Sequence, residues 1–310
     1  MSRIHEALKK AEQERATSQS QHPATVVVPA EPPRHSTVRM PSAAVAAPEN
    51  RLPNPAILPP PPDGALRFED LRLHCARPAW HVDPDVNVFI NSEGSGRGAE
   101  QFRTLRSRLY QIRSAQPLSV VLVTSSVPAE GKTFVTSNLA QSIVRQPDRH
   151  ALIIDGDMRC PRLHQALGAP QTPGLTDYLR GDADEMSVIQ SGGEGNLFFI
   201  GGGTKVSNPS ELLSNGRLNV LLKRVAHAFD WILIDAPPCL PVADATVIAD
   251  SCDGILFVVR AGSTPGAVAQ RAFQELKGRN ILGVVLNAVE DTHAYGSTYY
   301  QSYGYGYGYS

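Results

Sequence analysis

The chain has 310 residues, with 29 Lys and Arg set against 30 Asp and Glu, for a formal net charge of −1. That balance leaves no basic field to hold nucleic acid, and no apolar run approaches the ~18 residues that would cross a membrane. Four cysteines (Cys75, Cys160, Cys239 and Cys252) lack paired or CxxC spacing. They fit thiols in a reducing cytosol better than a disulfide framework or a zinc site.

Residues 1–16 are the first predicted element. Ser2 can cap a helix in which Ile4, Ala7, Leu8 and Ala11 share one face. It is either a solvated helix or a docking helix for a partner. Residues 17–98 read as a disordered Pro/Ala-rich linker, because 14 of the 25 prolines precede residue 99 and Pro59–Pro62 are consecutive. Nothing near the N-terminus resembles a secretion signal, so the chain is expected to be neither exported nor membrane-spanning.

Residues 99–290 alternate strand and helix. Apolar runs at 118–124, 151–155, 197–200, 231–235, 254–259 and 281–286 read as strands, with helices through about 145, near 209–228 and near 265–277. Continuous apolar strands between helices predict an α/β fold, a parallel sheet covered on both faces in the manner of P-loop NTPases. In such sheets ligands bind at the carboxyl ends of the strands.

The polar signals fall at those ends. Ser126-Val127-Pro128-Ala129-Glu130-Gly131-Lys132-Thr133 departs from GxxxxGK[ST] only in its first residue and lies between the first strand and a helix. The backbone of Ser126, Glu130, Gly131 and Phe134 would cradle phosphate, Lys132 would reach its terminal oxygens, and Thr133 would ligand Mg²⁺. Asp155 and Asp157 follow the second core strand, and Asp235 ends a later one. Three acids beside a P-loop suit a Mg²⁺ ion with its waters, and one group left over to accept a proton.

Residues 291–310 form the last segment. Seven of the nine tyrosines lie there: Tyr295, Tyr299, Tyr300, Tyr303, Tyr305, Tyr307 and Tyr309. Small and polar residues separate them, so the segment reads as a flexible, solvated row of phenols. Alone it fits either a self-associating tail or a multi-site phosphate acceptor; the phosphate loop upstream favours the acceptor.

Together, the P-loop, Asp155-Gly156-Asp157-Met158-Arg159, Asp235-Ala236-Pro237-Pro238 and the Tyr-rich C-terminus resemble the bacterial tyrosine kinases (BY-kinases), P-loop autokinases of capsule and exopolysaccharide export. The resemblance covers residues 99–310. It implies ATP and Mg²⁺ as cofactors, Lys132, Asp155 and Asp157 as catalytic residues, and Thr133, Asp157 and Asp235 around the metal. Asp155 would take the proton from the phenol. Asn287 would contact adenine, and the seven tail tyrosines would accept phosphate in trans. Glu100, Arg103 and Arg106 match an ExxRxxR helix implicated in ring-like self-assembly, although Phe102, Leu105 and Leu109 can also pack that helix on the domain. Asn208–Leu213, Asp244-Ala245 and Asp253-Gly254 match as fold signatures. The resemblance further implies a separate membrane-spanning activator of the chain-length-determinant type, an opposing tyrosine phosphatase, no nucleic acid, and a cytoplasmic protein recruited to the inner face of the plasma membrane.

Ser126 and Ala129 depart from the family's glycines. A partitioning or positioning ATPase of the same fold is an alternative, but it would carry a signature lysine where Val127 stands. A non-catalytic assembly scaffold is a third reading, opposed by the intact Lys132 and acids.

Overall fold

The computed structural model describes residues 64–90, 96–192 and 195–289. The expected N-terminal helix, the linker as far as residue 63 and the tyrosine cluster lie outside them. Seven strands form one sheet: β1 (Val120–Ser125), β2 (Ala151–Asp155), β3 (Ile189–Ser191), β4 (Leu197–Ile200), β5 (Trp231–Asp235), β6 (Gly254–Arg260) and β7 (Ile281–Asn287). Their order is β3-β4-β2-β5-β1-β6-β7, parallel except for the short antiparallel edge strand β3. Ten helices are described: α1 (Phe68–His74), α2 (Arg97–Ala115), α3 (Lys132–Val144), α4 (Leu163–Leu167), α5 (Leu175–Arg180), α6 (Glu185–Val188), α7 (Pro209–Leu213), α8 (Arg217–Val225), α9 (Asp244–Ala249) and α10 (Gly266–Glu275).

Alternate strand residues go to opposite faces, as the pleat requires. Leu122, Ile154, Phe198 and Ile234 meet α5, α8 and α9 on one side. Val121, Val123, Ile153, Phe199 and Leu233 meet α2 and α3 on the other. The parallel α/β layering read from the sequence is therefore present, and β1 lies inside the sheet between β5 and β6.

Two differences have clear causes. The single helix expected near 209–228 is two, because Gly216 takes a left-handed φ of 80° between α7 and α8. Asn215 fixes the break: its Oδ1 accepts from the Arg217 amide at 2.9 Å, and its Nδ2 donates to the Leu179 carbonyl at 2.9 Å.

The expected linker is also shorter than residues 17–98, because 64–90 fold onto the domain. Leu71 of α1 is fully buried among β-sheet and α8 side chains. Phe68 stacks on His150, ring centroids 3.6 Å apart. Further on, Ser191 donates to the Ala76 carbonyl, and Trp80 meets Phe199 edge-on at 6.1 Å. The buried amide of Asn138 on α3 then closes a two-way bond with the strap. Its Nδ2 donates to the Val86 carbonyl at 2.8 Å, and its Oδ1 accepts from the Val88 amide at 2.9 Å. Proline density hid this strap, which is irregular but carries widely spaced apolar anchors.

Because Leu71 is an anchor of the core, Leu71→Ala should lower the unfolding free energy by about 2–5 kcal/mol. Denaturant titration checks this, and a freely solvated linker would show almost no change. Burial holds the His150 pKa below its usual value, against the raising effect of Asp230, Asp148 and Glu69, while Arg149 adds to the lowering. Below about pH 6.5 the unfolded chain therefore binds more protons than the folded one. His150's contribution is full above that pH and should be lost as pH falls. Melting curves between pH 7 and 5 should drop more for wild type than for His150→Phe.

Candidate active site

The phosphate loop follows β1 and opens α3. Its last residue, Gly131, has φ 93°, and a Cβ there would sit 2.0 Å from the Asn287 amide nitrogen. Glycine is thus required twice over, by backbone conformation and by space. No side chain caps the N-terminus of α3. Its free N–H groups and the positive end of the helix dipole make a ready site for an anion. Lys132 begins that helix and is largely buried.

The three sequence-derived acids meet beside this loop. Asp155 and Asp235 end adjacent strands in register. Asp155 is fully buried; its Oδ2 accepts from the Arg162 and Leu163 amides, each at 3.0 Å, and its Oδ1 from the Asp157 amide at 3.2 Å. Burial pushes its pKa well above the ordinary carboxylate value, with the Asp235 charge adding to the rise and the amides opposing it. Asp235 is pushed up to about 6 by burial, against the Lys132 ammonium and the Thr133 hydroxyl. Asp157 stands at the rim, half-buried, and is also raised by burial while Lys132 and the Cys160 amide oppose.

Thr133 donates to Asp235 Oδ2 at 2.6 Å, while Asp235 Oδ1 is buried without a hydrogen-bond partner. That spare oxygen, together with a hydroxyl of P-loop type, suits Mg²⁺. This ion takes only one or two protein ligands when phosphates and water supply the rest. No cluster of three or more metal-ligating His, Cys, Asp or Glu side chains occurs among the described residues.

The side chains of several assigned residues turn to the protein itself, which leaves the backbone as the part that can hold phosphate. The Glu130 carboxylate is buried and bonded within the protein, accepting from the Val127 amide at 2.8 Å and from the Thr264 hydroxyl and the Arg260 amide. Phe134 turns its ring to Phe102 of α2 at 5.7 Å, so only its backbone can serve the cleft. Asn287 donates through Nδ2 to the Glu130 carbonyl at 2.9 Å and so fastens the loop. Ser126 is buried, with its Oγ unpaired. In the ExxRxxR helix, Glu100 and Arg103 pair with each other on the surface. Arg106 instead bonds the Ser142 carbonyl of α3. The tail tyrosines lie outside the described residues.

The residues matched only as fold signatures do specific work. Asp244 is fully buried and accepts from Arg159 Nε at 2.7 Å and Nη2 at 3.0 Å, with Ser210 Oγ donating at 2.5 Å. Burial raises the Asp244 pKa, but Arg159 and Ser210 outweigh it and hold the net value low. This clamp anchors the turn that carries Asp157, two residues before Arg159. Asp253 accepts from the Ser119 and Val120 amides, each at 2.8 Å, and so fixes the start of β1. Sequence reasoning missed Gly202, whose Cβ would fall 2.7 Å from Pro161 and 3.9 Å from the Asp155 carboxyl carbon. The Gly201-Gly202-Gly203 run at a strand end was the available signal.

No protein-family model matches the sequence. Among curated proteins, the tyrosine-protein kinase YwqD of Bacillus subtilis is 32% identical over 204 residues, covering 65% of this chain and 85% of that protein. The chain belongs to the bacterial tyrosine-protein kinases. The tyrosine-protein kinase etk of Escherichia coli is 35% identical over 211 residues, but the match spans only 29% of its length. In three dimensions the chain is similar to the kinase domain of Escherichia coli ETK, with a TM-score of 0.63 and 31% identity over 74% of this chain and 88% of that one. The kinase domain of VpsO matches over 63% of this chain and its whole length, with a TM-score of 0.54 and 31% identity.

Removing Arg159 would leave the fully buried Asp244 as an uncompensated charge, which typically costs about 3–5 kcal/mol. Arg159→Ala should therefore destabilise the fold by up to roughly that amount, and Asp244→Ala, which leaves the half-exposed guanidinium to water, by less. Denaturant titration of both variants measures it.

Proposed function

We propose that the protein is an ATP- and Mg²⁺-dependent tyrosine autokinase whose acceptors are Tyr295, Tyr299, Tyr300, Tyr303, Tyr305, Tyr307 and Tyr309. The observation that carries this reading is the convergence of Lys132, Thr133, Asp155, Asp157 and Asp235 on one uncapped helix N-terminus in a chain of this family. Lys132 and the loop amides hold the terminal phosphates. Thr133, Asp157 and Asp235 hold Mg²⁺, which when bound neutralises phosphate charge. Residues around Asn287 adjoin the base end of the nucleotide.

In the reaction, a tyrosine oxygen forms a bond to the γ-phosphorus and the bond from that phosphorus to the β-phosphate oxygen breaks, releasing ADP. The phenol proton passes to a carboxylate. An ordinary phenol has a pKa of about 10, so the proton leaves only as the new bond forms. Asp155 is assigned that role. Its three backbone donors orient it, its raised pKa makes it a better acceptor, and Oδ1, with a single long bond, keeps a direction open. Catalysis otherwise rests on positioning and charge neutralisation.

A tail long enough to reach a neighbour's cleft suits phosphorylation in trans within a ring-like homo-oligomer, with Glu100 and Arg103 on the outward face of α2. No helix among the described residues is long and apolar enough to cross a membrane. Recruitment to the membrane would then come from a separate membrane-spanning activator, and reversal from a tyrosine phosphatase. The process served is capsule or exopolysaccharide polymerisation and export.

Lys132→Met, which removes the phosphate-binding charge, should abolish phosphotyrosine on immunoblots of protein made free of other kinases. Undiminished signal would sink the proposal. Asp155→Asn should slow phosphoryl transfer by about 10²–10⁴-fold while Mg-nucleotide binding, read by calorimetry, stays nearly intact. Loss of binding would reassign Asp155 to the metal. A normal rate, with the loss falling on Asp157→Asn instead, would make Asp157 the base.

A further inference from the structure

Ala129 is one of three non-glycine residues with positive φ among the described residues, at 65° in the middle of the phosphate loop. An L-residue there pays a steric penalty, because its Cβ approaches the following carbonyl. Such a conformation persists only where its surroundings over-determine it. The surroundings here converge on Glu130. Its Oε2 accepts from the Val127 amide at 2.8 Å, closing the loop on itself. Its Oε1 accepts from the Thr264 hydroxyl at 2.5 Å and the Arg260 amide at 3.3 Å. Arg260 Nη1 also donates to the Ala129 carbonyl at 3.2 Å, and Asn287 Nδ2 to the Glu130 carbonyl at 2.9 Å. The Ala261 amide in turn donates to the Asn287 carbonyl at 2.8 Å, tying the ends of β6 and β7 together.

We infer that Glu130 and Thr264 are positioning residues: through their hydrogen bond, the turn after β6, together with the end of β7, holds the phosphate loop, with Ala129 left-handed, in the form that receives nucleotide. The inference rests on the nucleotide-binding part of the proposed function and adds two side chains that support the loop from behind. A carboxylate with every donor supplied by the protein is inward-facing support for the loop. Its removal frees Ala129 to relax towards ordinary backbone, and the amides then lose their common aim. Glycine at 129 bears no such penalty, so it should need the brace less.

The test is a calorimetric titration of the full chain with Mg-ADP, together with ATP-dependent phosphotyrosine kinetics. Thr264→Val keeps the shape and removes the hydroxyl. It should weaken Mg-ADP binding and raise the KM for ATP roughly ten- to a hundredfold, the effect of losing one hydrogen bond to a charged group. The kcat at saturating ATP should not change. Thr264→Ser should behave as wild type, and Ala129→Gly added to Thr264→Val should restore most of the affinity. Unchanged binding in Thr264→Val overturns the inference. So does a loss that Ala129→Gly leaves undiminished, because the loop conformation would then not be what Thr264 supports. Glu130→Gln, read in the same titration with and without Ala129→Gly, decides the matter should Thr264→Val fail to fold. Wild-type protein that does not bind Mg-ADP refutes the proposed function itself, and it is read first.

Discussion

Two carboxylates end neighbouring strands at the same level, inside the protein, and most of the site's construction answers to that placement. Asp155 and Asp235 are register partners of β2 and β5, both essentially shielded from solvent. Burial disfavours their charged forms, and each raises the cost of ionising the other. The fold offsets this with three backbone amides donating to Asp155, and for Asp235 with the Thr133 hydroxyl as donor and the charge of the Lys132 ammonium. What remains unsatisfied is one oxygen of Asp235. A site under this much like-charge strain is ready for a cation and for the phosphates that accompany it.

The nucleotide helix α3 is correspondingly fastened on several sides. Asn138 ties it to the strap at Val86 and Val88, Arg106 of α2 bonds its last turn at Ser142, and the loop before it is braced from β6 and β7. Arg106 therefore has an internal task within the domain. Only Glu100 and Arg103 of that motif are left to the surface, where an exposed ion pair by itself contributes little. Any contribution of the motif to assembly then runs through the placement of α2 as well as through direct contact.

Much of this was legible in the sequence, because apolar runs of strand length ended in acids and a Gly-Lys-Thr turn stood between strand and helix. The periodicity of β1, β2, β4, β5, β6 and β7 follows from burial on both faces, which leaves an uninterrupted apolar signal. The strap was not legible. Its anchors, Leu71, Trp80 and Phe89, are separated by irregular backbone and held by long-range bonds, such as those of Asn138, that no local pattern announces. Edge strand β3 has three residues, too few for a period. Residue types marked Asp155, Asp157, Asp235 and Lys132 correctly as neighbours. They did not show that Glu130 and Asn287 serve the loop's shape, since an acid or amide beside a phosphate loop looks the same in sequence whichever way it points.

Phosphoryl transfer to this chain's own tyrosines can be read by mapping the modified sites. Purified full-length protein, first treated with a phosphatase that is then removed, is incubated with Mg-ATP, digested and mapped by mass spectrometry. Phosphate should appear on several of Tyr295, Tyr299, Tyr300, Tyr303, Tyr305, Tyr307 and Tyr309 and not on the buried Tyr178. Release of inorganic phosphate with no phosphotyrosine anywhere in the chain would contradict it and make the protein an ATPase.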